Sequence, residues 1–214
     1  MIAVAYHYIR NECNLYKGIH PTDWYTFKKQ IRYLLETNST ITFKEDLDFF
    51  IESYKSGFDK KKYIITFDDG LKEHFQASKL LAENGIRSIF SIIGCTTVEG
   101  KIPLVHKLHW LRSTLEFNFL KNELEKILGR TLISNKDIIE KAKKMHIHDD
   151  IETAVFKYNL NFLLDFNELD HATSKLILKY IPSERSFCES YFLTMEEIIE
   201  MQNLGHIIAW HTKY

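Results

Sequence analysis

Residues 63–70 read Tyr-Ile-Ile-Thr-Phe-Asp-Asp-Gly, an apolar, β-branched run that ends abruptly in two carboxylates and a glycine. The run is too short and too continuously apolar for a surface helix. It fits a strand buried on both faces, as in a parallel sheet. Asp68 and Asp69 then fall at its C-terminal end, where α/β folds place their chemistry. Adjacent residues at a strand end point in different directions, so one carboxylate can serve a metal and the other a proton. Taken alone, Asp-Asp-Gly is more often an ordinary strand-to-helix turn with an Asp as N-cap. Only partners elsewhere in the chain separate the two readings.

The chain around this run alternates strand and helix, the signature of a parallel sheet or barrel. Residues 2–9 read as a first strand, with His7 near its C-terminal end. Pro21 and Thr22 open a helix whose apolar stripe is Trp24, Phe27, Ile31, Leu34 and Leu35. Thr42-Phe-Lys-Glu45 is a capping-box pattern that starts a second helix to about Tyr54. After the Asp pair, Leu71, Phe75, Ser78, Leu81 and Ala82 trace a helical face that ends at Asn84-Gly85. A third strand covers residues 88–93, and Gly94 stops it.

From about residue 101 to 185 the pattern is helical, with no convincing strand. Leu104, Leu108, Leu111 and Leu115 share one face, and Leu120, Leu124, Ile127 and Leu128 continue to Gly129. Further helices are expected over residues 136–145, 151–164 and 168–180, with Pro182 as a stop. The block reads as a helical insertion, giving a division into residues 1–100, 101–190 and 191–214. Its histidines (106, 109, 146, 148 and 171) are scattered, as surface or packing residues are; His106, close after the third strand, is the best placed of them to be a ligand.

Thr194-Met-Glu-Glu197 is another capping box and starts a helix to about residue 203. Residues 206–211 then form a fourth strand, with Ile207, Ala209 and His211 on one face and His206, Ile208 and Trp210 on the other. His211 arrives at a strand's C-terminal end, as Asp68 and Asp69 do. Two acids and a histidine on one rim can hold a divalent metal with an open position for water. His206 reads as a packing residue.

Composition narrows the remaining choices. With 28 basic against 29 acidic residues, there is no electrostatic case for nucleic acid or an anionic membrane. Cys13, Cys95 and Cys188 are widely spaced in no ligand pattern, which points to a reducing compartment. The first residues look like a strand and lack a basic signal-peptide start, and no segment approaches membrane-spanning length, so a cytoplasmic location is expected.

Thr66-Phe-Asp-Asp-Gly70 resembles the first motif of the polysaccharide deacetylases, the carbohydrate esterase family 4 or chitooligosaccharide deacetylase-like enzymes. The segment 205–212, Gly-His-Ile-Ile-Ala-Trp-His-Thr, is similar to the run into their second motif, His-Ser/Thr-x-x-His. Ala5-Tyr-His-Tyr8 resembles the Tyr-His strand that opens many members, and residues 80–94 resemble the helix and strand after the first motif. The likeness spans residues 2–94 and 190–214 and leaves out the helical block. It implies a distorted (β/α)7 barrel and hydrolysis of acetyl groups from N-acetylated sugars or glycans. It also implies a divalent metal, most often zinc, ligated by Asp69 and His211, with Asp68 as general base and His7 as a pocket residue of undefined role.

The sequence departs from that family where the second motif needs a further histidine, four positions after His211 and beyond Tyr214. The later motifs are likewise missing, so an incomplete barrel with four strands is expected. With two protein ligands, weak metal binding, inefficient turnover and association through an unpaired strand edge are expected as well. A non-catalytic remnant or binding module of the same fold, and a related hydrolase of small amides, stand as alternatives.

Overall fold

In the computed structural model, which describes residues 2–11, 21–37, 39, 40 and 63–212, the apolar run is an inner strand of a four-stranded sheet. The strands are β1 (Ile2–Tyr6), β2 (Tyr63–Phe67), β3 (Ser88–Ile93) and β4 (Ile207–Thr212). They lie in the order β1-β2-β3-β4, and every neighbouring pair is parallel. Parallel crossovers are right-handed almost without exception, so strands added one beside the next send their connecting helices to a single face.

Burial agrees with that geometry. Val4, Tyr6, Ile65, Phe67, Phe90, Ile92 and Ile208 share a core with three helices. These are α1 (Trp24–Glu36), through Phe27, Ile31 and Leu34; α2 (Glu73–Glu83), through Ala77 and Leu81; and the late helix Met195–Asn203, through Ile198 and Met201. In-register pairing aligns Tyr6, Phe67 and Phe90 across three strands. Their rings stack at centroid distances of 5.6 and 4.5 Å. The other face is mixed: Ala3 and Ala5 are exposed and Thr66, Ser91 and Ala209 are half-buried, while Ile64 and Ile93 are buried and Ile89 and Ile207 half-buried. The expectation of strands buried on both faces therefore holds for Ile64 and Ile65 but not for Thr66. Among the described residues the sheet is open, with β1 and β4 at its edges, and does not close into a ring.

Several boundaries differ from the sequence reading. The first strand stops at Tyr6, leaving His7 just beyond it. The first helix starts at Trp24, not at Pro21, because Thr22 is engaged in a parallel bridge with Ile9. Asp23 is the N-cap, its carboxylate accepting from the Thr26 amide at 2.8 Å. His206 precedes β4, buried, with its Nε2 2.9 Å from the Ser78 carbonyl. Cys13 and the helix expected over 42–54 lie outside the described residues.

The chain separates into two compact units, Met1–Pro103 with Ser183–Tyr214, and Leu104–Pro182. The second contains only helices among its described elements: α3 (Leu104–Thr114), α4 (Phe117–Leu128), α5 (Lys136–Met145), α6 (Ile151–Tyr158) and α7 (Phe166–Ile177). Side-chain caps start four of them, from Glu116, Asn135, Asp150 and Asp165. Asn159 opens a π-helical turn after α6, its amide donating to the Val155 and Ile133 carbonyls and its oxygen accepting from the Ile133 amide. Two more helices, α8 (Glu184–Tyr191) and α9 (Met195–Asn203), belong to the sheet unit. The α9 capping box is formed as its sequence pattern indicates. The helix α8 lacks a long apolar stripe and was not anticipated. At the neck of the insertion the Ile102 amide donates to the Glu184 carboxylate at 2.8 Å, and Arg185 donates to the Glu99 carbonyl at 3.2 Å. No helix of the described residues is long and apolar enough to cross a membrane.

Candidate active site

Parallel strands bring their C-terminal ends to one rim, so the residues after Tyr6, Phe67 and Trp210 are neighbours by construction. The β1–β2 ladder runs one step past β2, with the Asp68 amide donating to the Tyr6 carbonyl at 3.0 Å. The chain then turns sharply. Asp69 adopts φ +78°, a left-handed conformation that a residue with a Cβ rarely takes, and Gly70 follows at φ +65°. A Cβ on Gly70 would sit 3.2 Å from Cγ2 of Ile92, so both the backbone conformation and the close approach favour glycine.

The turn is fastened from outside. Leu71 and Phe192, both fully buried, form an antiparallel bridge. Around it the Lys72 amide donates to the Tyr191 carbonyl and the Leu193 amide to the Gly70 carbonyl, each at 2.9 Å. The two carboxylates therefore leave a turn with little freedom, and they face different partners. Asp68 Oδ2 is 3.8 Å from Nε2 of His7, and Asp69 Oδ1 is 3.5 Å from Nε2 of His211. Asp69 is the more buried of the two acids, at 14% side-chain exposure against 25% for Asp68.

His211 reaches this position through an irregularity. Ile92 pairs with Trp210 and Ile93 with Thr212, which leaves His211 as the extra residue of a β-bulge. The register shift of one residue interrupts the regular pairing of β4 at this point. Bulges commonly re-aim a side chain beside a site.

The gap of 3.5 Å between Asp69 and His211 is too long for a charge-assisted hydrogen bond, which closes to about 2.7–2.9 Å. It matches two ligands of one ion, since zinc–oxygen and zinc–nitrogen bonds of about 2.0–2.1 Å give a tetrahedral edge of about 3.3 Å. The pair thus suits two positions of a zinc site. Among the described residues no group of three or more His, Cys, Asp or Glu is arranged to hold a metal, whereas catalytic zinc sites commonly use three protein ligands.

Behind the rim lies a polar layer that sequence reading missed. His74, completely buried in the first turn of α2, accepts from the Leu71 amide at Nδ1 (3.2 Å) and approaches the His7 carbonyl through Nε2 (2.7 Å). Next to it, Glu73 takes the Arg10 guanidinium at 2.6 and 3.0 Å, and the Ile9 amide lies 3.4 Å from the same carboxylate. Arg10 lies over the rings of Tyr8 and Tyr191, at 4.8 and 4.6 Å from their centroids. Burial raises the Tyr8 hydroxyl well above the usual tyrosine range, with Tyr191 adding to the shift. The available signal was the spacing Leu71…His74, from which a side chain can reach back to an amide as the Glu of a capping box does.

No family model matches the chain, and no curated protein matches it. Two solved structures are similar in part. One is a de-N-acetylase from Aggregatibacter actinomycetemcomitans, at 16% identity over 48% of this chain and 42% of that one, with a TM-score of 0.36. The other is described as a candidate polysaccharide deacetylase from Bacillus anthracis, at 19% identity over 67% of this chain and 54% of that one, with a TM-score of 0.34. The chain thus spans about half the length of each.

Proposed function

We propose that the chain belongs to a metal-dependent hydrolase that removes acetyl groups from N-acetylated sugars or glycans. The observation that carries this is the Asp68-Asp69-Gly70 turn at the end of β2, with Asp69 Oδ1 3.5 Å from His211 Nε2 on the same rim. Asp69 and His211 would hold the metal, zinc by donor type, and that ion would supply Lewis acidity toward the acetamide carbonyl. Asp68 is the general base, receiving a proton from the attacking water. His7, whose half-exposed ring has its Nε2 3.8 Å from Asp68 Oδ2, is the residue we assign to the substrate side of the site. The backbone ties at Gly70, Leu71 and Lys72 fix both carboxylates before substrate arrives, and preorganisation of this kind is what lowers a barrier.

A second reading, a non-catalytic module of the same fold, is favoured by one observation: two metal donors rather than three stand together among the described residues. Zinc titration by calorimetry, with acetate release from N-acetylglucosamine oligomers, separates them. The wild-type chain and Asp68→Asn are expected to bind one zinc equally, Asp69→Ala to bind none, and Asp68→Asn to release no acetate. Equal loss of zinc in both variants would overturn the division of roles. Zinc binding without acetate release by the wild type would favour the module.

A further inference from the structure

We infer that His74 is a positioning residue, a two-sided latch that sets the Asp68–Asp69 turn against the end of β1. The inference rests on the functional reading above for what the turn does, but the latch itself stands on geometry. Nδ1 accepts the Leu71 N–H, so that nitrogen carries no proton. The ring proton must then be on Nε2, which donates to the His7 carbonyl. The ring is completely buried against Phe67 and Phe90, at centroid distances of 5.1 and 6.2 Å. That burial holds the imidazole neutral, with its pKa below the ordinary value, as a one-donor, one-acceptor latch requires.

Both backbone groups it grips border the site. Leu71 follows Gly70 directly, and His7 carries the ring that faces Asp68. With the β1–β2 ladder already joining the strands through Asp68 N–H to the Tyr6 carbonyl, the ring adds a second tie, from the residue after β1 to the residue after Gly70. Leucine or phenylalanine would fill the same space and orphan a buried N–H and a buried C=O, a cost of about 1–3 kcal/mol for each group.

Two substitutions take the latch apart one side at a time. In His74→Asn the side-chain oxygen falls where Nδ1 was, which keeps the Leu71 bond and drops the His7 bond. In His74→Gln the amide nitrogen falls where Nε2 was, with the opposite result. Both variants are first required to melt cooperatively. The Leu71 amide is then expected to exchange hydrogen at least tenfold faster in His74→Gln and within threefold of wild type in His74→Asn. The Tyr8 amide shift, which reports the His7 carbonyl, should move in His74→Asn and stay in His74→Gln. Zinc affinity should fall about tenfold in His74→Gln, where the turn bearing Asp69 is released, and less than threefold in His74→Asn. Equal Leu71 exchange in the two variants, or equal zinc loss despite unequal exchange, would overturn the latch. A wild-type chain with no zinc affinity would instead overturn the functional reading, and the latch would then stand or fall on the Leu71 and Tyr8 amides alone.

Discussion

The sheet unit and the helical unit are built from similar residues, and both contain histidines, carboxylates and buried polar groups, yet they bring them together in different ways. In the sheet unit, parallel pairing delivers Asp68, Asp69, His7 and His211 to one rim through backbone hydrogen bonds. In the helical unit the corresponding contacts are between near neighbours in sequence: the His106 and His109 rings lie 5.8 Å apart, and His146 Nδ1 is 3.9 Å from Asp149 Oδ2. A helix spreads its side chains around an axis, whereas strand ends in a parallel sheet share a single edge. The polar groups that the helical unit does bury serve packing: the Lys107 ammonium lies against Asp170 and Ser174, and Asn159 ties a loop to α6.

The largest effects should divide along the same line. Phe67 is the middle ring of the aromatic row and has no exposed surface, and Phe156 holds an equivalent buried place in the helical unit, edge-on to Phe117. Each Phe→Ala change should cost about 3–5 kcal/mol in chemical denaturation. Only Phe67→Ala should abolish zinc binding, however, while Phe156→Ala leaves it within about twofold. Comparable zinc loss in Phe156→Ala would break the comparison, because the two units would then be one energetic body.

A smaller pair sharpens it. Gly70 and Gly129 have nearly the same left-handed conformation, φ +65° and +68°, but Gly129 faces open space and Gly70 faces Ile92. Gly129→Ala should lose about 1–2 kcal/mol from backbone strain alone. Gly70→Ala should lose more, by whatever it costs Ile92 to move. Equal losses in thermal melts would mean that the turn relaxes freely and is not the fastened element described above.

The smallest expected effect has the opposite sign. Asp69 pays for its φ of +78°, so Asp69→Gly should stabilise the fold by about 0.5 kcal/mol, after the added flexibility of the unfolded chain is subtracted. Zinc binding should be lost at the same time. Destabilisation instead would show that the contact with His211 holds the turn.

Much of this was legible in the sequence because the signals were local. The strands over 63–67 and 88–93 are short runs rich in isoleucine and aromatic residues, and the box at Thr194 has its Glu at the required spacing. The positions of Asp68 and Asp69 at a strand end followed directly. What stayed hidden depended on contacts between distant segments. The Ile9–Thr22 bridge delays the start of α1 to Trp24, and no local pattern reveals it. The bulge at His211 exists only relative to β3. His74 looks like any polar residue in a first helical turn until the carbonyl of His7 is placed beside it. The helix α8 hides its stripe in eight residues, with Phe187, Cys188 and Tyr191 as its buried side.

The neck between Ile102 and Glu184 has a consequence for how such a chain can be rebuilt. The polypeptide leaves the sheet unit and re-enters it at nearly one point, clasped there by a side-chain hydrogen bond. An excursion that begins and ends in the same place makes few demands on its content. Closing a loop costs only about 0.6 kcal/mol more for each doubling of its length. The sheet should therefore accept a short linker, a reporter or a foreign domain in place of residues 104–182, much as a socket accepts different fittings. The same geometry gives evolution a place to add or discard a module without re-registering a single strand.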